Sequence, residues 1–120
     1  MRILVVDDEV LIRWSISETL VEEGHEVAEA GDAAAAVAAV MHEPSPDVVL
    51  LDYRLPDSDD LGLLTKIRGL APSAAVIMMT AFGTPEMTSK AIELGVREVV
   101  SKPFNLHDLA DKVRAAAPAR

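Results

Sequence analysis

Five times along the chain a short run of apolar, β-branched or small residues is followed by a segment with helical spacing. The runs cover residues 3–6, 27–30, 48–51, 76–79 and 99–101, lengths that suit strands. The first helical segment spans 10–23, with Ile12, Ile16 and Leu20 on one face and Gly24 as its stop. The second has Asp32 as N-cap and an Ala-rich body to residue 41, ended by Glu43-Pro44-Ser45-Pro46. The third covers 60–68, turning Leu61, Leu64 and Ile67 inward, with Gly69 closing it. The fourth starts at the cap Thr84 with Pro85 in the first helical position and runs to Leu94, before Gly95. The fifth opens on Asn105, with Asp108 three residues on in a box-like pairing, and continues through Leu109 and Val113 toward Ala117.

Strands separated by connections long enough to hold a helix lie parallel, and a parallel sheet needs helices on both faces. Right-handed crossovers leave few topologies. The first and third runs are continuously apolar, as in strands buried on both sides. The second mixes Val27 and Ala28 with His25, Glu26 and Glu29, as in a strand near an edge. The pattern predicts an α/β fold: a five-stranded parallel sheet of the flavodoxin-like (βα)5 type, in strand order 2-1-3-4-5. At 120 residues one core is expected, with residues 1–117 forming the domain and 118–120 the start of a linker.

Composition narrows the function. Eleven Lys and Arg against 20 Asp and Glu leave a net charge of −9, which argues against nucleic-acid or anionic-membrane binding by this domain. The absence of Cys excludes disulfides, thiolate nucleophiles and Cys-ligated metals. The apolar runs are too short to span a bilayer, and Asp7-Asp8-Glu9 follows the first run at once, unlike a secretory signal, so a cytoplasmic location is expected.

In an open parallel sheet, ligands bind beyond the carboxyl ends of the strands, where the strand order reverses. The residues that follow the runs there are Asp7 and Asp8, Asp52, Thr80 and Lys102. Three carboxylates in one crevice repel unless a cation joins them, and an all-oxygen set favours a hard ion such as Mg²⁺. Lys102 supplies a positive charge and Thr80 a hydroxyl for phosphoryl oxygens. With no Ser/His or Cys/His pairing present, the available nucleophile is a carboxylate, which forms an acyl phosphate.

The same residues resemble the receiver domains of two-component response regulators. Asp7-Asp8, Leu51-Asp52 with Leu55-Pro56, Thr80-Ala81 and Lys102-Pro103-Phe104 stand in that family's order and spacing across essentially the whole chain. The resemblance implies that Asp52 is the phosphoacceptor and that Asp8 and Asp52 bind Mg²⁺ directly. It implies that Asp7 acts through a metal-bound water, that Arg54 lends its backbone carbonyl, and that Thr80 and Lys102 contact the phosphoryl group. A cis Lys102–Pro103 peptide is implied as well. The implied partner is a sensor histidine kinase; because the first helix begins beside the acidic pocket, Leu11, Trp14 and Ser15 read either as part of its docking surface or, for Trp14, as a partly covered surface residue. The switched face comprises the fourth helix, fifth strand and fifth helix, controlling a homodimer or a C-terminal output domain. Enzymatic activity would be confined to the domain's own phosphorylation and dephosphorylation. Ile12-Arg13-Trp14 and Thr80-Ala81-Phe82-Gly83 further resemble receivers of nitrogen-regulatory, enhancer-binding activators.

Two positions depart from that pattern. Val99 stands where an aromatic usually precedes the Lys by three, leaving Phe82 or Phe104 as substitutes, and Asp60 replaces the Gly that usually ends the loop after Asp52. These departures keep open a phosphorylation-independent interaction module. An aspartyl-phosphate hydrolase is disfavoured because Asp7-Asp8-Glu9 lacks an Asp-x-Asp spacing. Flavin binding is disfavoured because the first loop is acidic. Trp14 lies about 200° round the helix from Ile12 and should face solvent. His25, His42 and His107 read as surface residues, and Met78-Met79 as core strand.

Overall fold

Alternation of side chains along each strand divides the core in two. A computed structural model describes residues 1–57, 61–81 and 83–116. Its strands are β1 (Arg2–Val6), β2 (Glu26–Ala30), β3 (Val48–Asp52), β4 (Ala75–Thr80) and β5 (Glu98–Ser101). They form one parallel sheet in the order β2-β1-β3-β4-β5, as the alternation predicts. The helices are α1 (Val10–Glu22), α2 (Ala33–Met41), α3 (Gly62–Leu70), α4 (Pro85–Glu93) and α5 (Leu106–Ala115).

Ile3, Val5, Val48, Leu50, Ile77 and Met79 face Ile16 and Leu20 of α1 and Leu109 and Val113 of α5. Their neighbours Leu4, Val6, Val49, Leu51, Val76 and Met78 face Val40 of α2, Leu64 and Ile67 of α3 and Ala91 of α4. The central strands β1 and β3 are therefore buried on both faces, which is why their sequences show no polar alternation. β2 and β5 are the edges. Their acids are paired: Glu26 with Arg2, Glu29 with Arg13 and Glu98 with Lys112.

The helix ends follow local chemistry. Asp32 accepts from the Ala35 N–H at 2.7 Å, Thr84 from Met87 at 3.1 Å, and Asn105 from His107 and Asp108 at 2.8 and 3.1 Å, all at expected caps. Gly24 and Gly95 take positive φ beyond α1 and α4, the conformation in which glycine carries no Cβ penalty.

Gly69 corrects the sequence reading. It lies inside α3, which runs on to Leu70 before the cap residue Ala71. Pro72 provides the stop, because its ring drives the preceding residue out of the helical region, and Ala71 sits at φ −134°, ψ 70°. The expected start of α3 at Asp60 and the Asp59-Asp60 loop lie outside the described residues, as do Phe82 and residues 117–120. Lys102–Pro103 is cis, as the resemblance implies, and so is Glu43–Pro44. Among the described residues no helix is long and apolar enough to cross a membrane.

Leu50 is fully buried in the middle strand. Leu50→Ala should lower unfolding free energy by about 2–5 kcal/mol, because the strands on either side prevent the cavity from collapsing. Urea denaturation should show a lower midpoint with an unchanged slope.

Candidate functional site

Each strand delivers its polar residue to the same edge because the hydrogen-bond ladder continues one step past the apolar run. The Asp7 N–H donates to Ala30 O at 3.1 Å, the Tyr53 N–H to Met79 O at 2.9 Å and the Lys102 N–H to Thr80 O at 2.8 Å. Asp7 and Asp52 are thereby fixed side by side at the ends of neighbouring strands. Carboxylate oxygens of Asp7, Asp8 and Asp52 all lie within 4.8 Å of one another. Asp7 is fully buried and Asp52 nearly so, while Asp8 is exposed.

The Lys102 ammonium closes the group from β5. Its Nζ stands 2.9 Å from Asp7 Oδ2, 3.2 Å from Asp52 Oδ2 and 3.4 Å from Glu9 Oε1. Burial disfavours the charged amine, but the hydrogen bond to Asp7 and the charges of Asp52 and Asp7 outweigh it, so the Lys102 pKa is raised. Burial, reinforced by the charge of Asp7, pushes the Asp52 carboxyl up to about 6, against the pull of Lys102. An all-oxygen donor set with surplus negative charge fits a hard divalent cation such as Mg²⁺.

Thr80, the last residue of β4, is buried. The β4–α4 loop rests directly on it: a Cβ at Gly83 would stand 2.9 Å from Thr80 Cγ2 and 3.3 Å from the Met87 methyl. Only glycine permits that approach without displacing the threonine. The Arg54 N–H donates to Asp52 Oδ1 at 3.3 Å, and the residue is exposed. The six residues singled out in the sequence thus sit at or beside one crevice.

Glu9 is the member that sequence reasoning passed over. Its N–H donates to Asp7 Oδ1 at 2.9 Å, a turn that swings its side chain toward Lys102. The third acid of the Asp7-Asp8-Glu9 run was the available signal.

Other expectations resolve clearly. Trp14 is 57 % and Leu11 79 % exposed, facing away from the buried stripe as the helix geometry predicts. A cleft of about 270 Å³, lined by Leu11, Ile12, Ser15, Lys102, Pro103, Phe104 and Leu106, opens beside the acidic crevice. Phe104 packs with the α1 and α5 core, whereas Val99 packs with the opposite core. Phe104 and Val99 thus lie on opposite faces of the sheet. His42 and His107 are exposed, but His25 is half-buried, with Nδ1 3.3 Å from the terminal amino group. Burial and then that positive charge lower its pKa. Met78 and Met79 are core residues on opposite faces.

The comparisons with known proteins agree with this geometry. The family model of the response regulator receiver domain matches residues 3–114. Sporulation initiation phosphotransferase F of Bacillus subtilis is 33 % identical over 119 residues, spanning 99 % of this chain and 95 % of that protein. The phosphate regulon transcriptional regulatory protein PhoB of Klebsiella pneumoniae is 35 % identical, and the match spans 95 % of this chain but only 50 % of PhoB. Among solved structures, the receiver domain of NtrX from Brucella abortus superimposes with a TM-score of 0.86 at 39 % identity, covering 95 % of this chain and 96 % of that one. The NtrX likeness supports the resemblance to receivers of nitrogen-regulatory activators.

The raised Asp52 pKa carries a sign. From 3.8, its ordinary value, to about 6, the folded metal-free protein holds a proton that the unfolded chain has released. Stability therefore falls as pH rises through that window and stays reduced above it. Metal-free Asp52→Asn should melt above the wild type at pH 7, with the gap narrowing as pH drops from 6 toward 4. Thermal melts showing a gap independent of pH would contradict this origin.

Proposed function

The chain belongs to the response regulator receiver domain family, and from that membership we propose that it is a phosphoacceptor switch taking a phosphoryl group from a sensor histidine kinase onto Asp52. The observation that carries the reading is the meeting of the Asp7, Asp8 and Asp52 carboxylates within 4.8 Å, with the Lys102 ammonium on two of them. Asp7, Asp8, Asp52 and the Arg54 backbone carbonyl are the proposed holders of Mg²⁺, Asp7 acting through water. When bound, Mg²⁺ neutralises charge on the transferring phosphoryl oxygens.

An ionised Asp52 oxygen attacks phosphorus. An O–P bond forms, the N–P bond of the donor phosphohistidine breaks, and its electron pair returns to the imidazole nitrogen, which then takes a proton from water. Asp52 must be deprotonated to act, and the Lys102 charge beside it favours that form. After transfer, Lys102 retains Asp7 and exchanges its Asp52 contact for a phosphoryl oxygen, while the Thr80 hydroxyl takes another. The contacts to the phosphoryl oxygens exist only in the phosphorylated state, so they bias the α4, β5 and α5 face between two arrangements. Catalysis is confined to the domain's own phosphorylation and the later hydrolysis of the acyl phosphate.

The apolar cleft between α1 and the segment after β5 adjoins Lys102, so a kinase seated on Leu11, Trp14 and Ser15 brings its phosphohistidine to Asp52. The switched face would control a homodimer or a C-terminal output domain, in the cytoplasm, with residues 1–117 as the receiver and 118–120 beginning the connector. A phosphorylation-independent module draws its support from Val99 and Asp60. Val99 packs against the apolar core, and the meeting of Asp7, Asp8 and Asp52 favours the phosphoacceptor.

Beryllofluoride stands in for the phosphoryl group, and its titration with and without Mg²⁺, followed by amide NMR, tests the reading. Metal-dependent shifts at Asp52, Thr80 and Lys102 that extend into α4 and β5, and that vanish in Asp52→Asn, are expected. Shifts confined to the crevice would overturn the proposed relay, and no response would overturn the phosphoacceptor itself. The exposed Arg54 side chain, two residues beyond Asp52, should shield the acyl phosphate from water. Arg54→Asn should therefore shorten its half-life severalfold in a phosphate-release assay.

A further inference from the structure

The first three N–H groups of α2 are satisfied by two different carboxylates. Asp32, the local cap, takes the Ala35 N–H at 2.7 Å. The Ala33 and Ala34 N–H groups go to Asp57 Oδ1 and Oδ2 at 2.7 and 3.1 Å. Asp57 comes from a different part of the chain, the loop after β3, five residues beyond Asp52. A helix start exposed to solvent can leave these donors to water. What the second carboxylate secures is the loop that carries it. The two charge-assisted bonds at a positive helix end hold the Asp57 carboxyl below its ordinary pKa, the Ala33 bond contributing most.

The first part of that loop, residues 53–57, is fixed at three points. The Tyr53 N–H is tied to Met79 O at 2.9 Å, Leu55 is buried in the core, and Asp57 is latched to α2. Arg54 lies between the first two. The end of β2 also holds the other acidic loop: the Asp7 N–H reaches Ala30 O at 3.1 Å, and Arg13 spans from Asp7 O at 2.7 Å to Glu29 Oε1 at 3.0 Å. The end of β2 and the start of α2 are thus adjoining supports for the Asp7–Asp8 loop and the Asp52–Arg54 loop.

We propose that Asp57 is a positioning residue for the acidic crevice, locking the β3–α3 loop against the N-terminus of α2 so that the Asp52 and Arg54 side of the metal site is held at a fixed distance from the Asp7 and Asp8 side. The inference deepens the phosphoacceptor reading and rests on its Mg²⁺ site. Removing the latch leaves the ligands present and frees their spacing, so metal affinity falls.

The test is a Mg²⁺ titration of the full chain by amide NMR at pH 7, comparing wild type, Asp57→Ala, Asp57→Asn and Asp32→Ala. Asp57→Ala should weaken Mg²⁺ binding by about tenfold, the scale seen when groups that orient metal ligands are lost. Asp57→Asn, which keeps one acceptor oxygen, should fall between it and wild type. Asp32→Ala, which removes a cap from the same helix but no tie to the loop, should bind as wild type does. In wild type the Ala33 and Ala34 amides should shift as Mg²⁺ binds, and in Asp57→Ala they should stay still. Wild-type affinity in Asp57→Ala, or an equal loss in Asp32→Ala, would overturn the latch while leaving the phosphoacceptor reading intact. A wild-type chain indifferent to Mg²⁺ would overturn both.

Discussion

Two buried like charges, Asp7 and Asp52, share one ammonium, and the rest of the molecule is arranged so that they can. Neighbouring parallel strands bring both carboxylates to the same edge, and neither can retreat, because each is continuous with a strand packed on both faces. Lys102 comes from β5, two strands away from β3, and bridges the two acids across the end of β4. Desolvating such a group is repaid only with close geometry and full hydrogen bonding. Rigidity of the sheet is therefore a condition for the electrostatics as well as a product of the core.

The same condition supports the proposed change of state in the crevice. A cation that already lies between two carboxylates can exchange one oxygen for another without leaving its partner, so in the proposed reaction an added dianion would alter what Lys102 holds while Asp7 kept it in place. Strain is not needed. The crevice needs only a new set of acceptors and a loop, the one resting on Thr80 through Gly83, near enough to register a movement of the threonine.

Much of this was legible in the sequence because it is periodic or adjacent. Continuous runs at 3–6 and 48–51 distinguish central strands from the mixed edge run at 27–30, a contrast that the order β2-β1-β3-β4-β5 fits. Asp7, Asp52, Thr80 and Lys102 announce themselves by standing at or just past the ends of those runs. What was not legible depends on distance in sequence. The bond from Asp57 to the start of α2 has no spacing rule, since either residue alone reads as an ordinary turn acid or a helix-forming alanine. Gly69 misled for a related reason: a glycine after an apolar face imitates a stop, but only a backbone with positive φ makes it one, and Pro72 ends the helix first. His25 read as a surface residue because its neighbour, the amino terminus, is 24 residues away.

An open sheet has two borders, and each presents a row of backbone groups on which a foreign strand could zip. Here the borders are dressed in acid. Glu26 and Glu29 flank one and Glu98 the other, and each is matched by an arginine or lysine of its own chain. A second molecule approaching border to border would set carboxylate against carboxylate and have to break those local pairs, a device that keeps β-proteins from polymerising. Crowded solutions of this acidic domain should therefore resist fibrous growth.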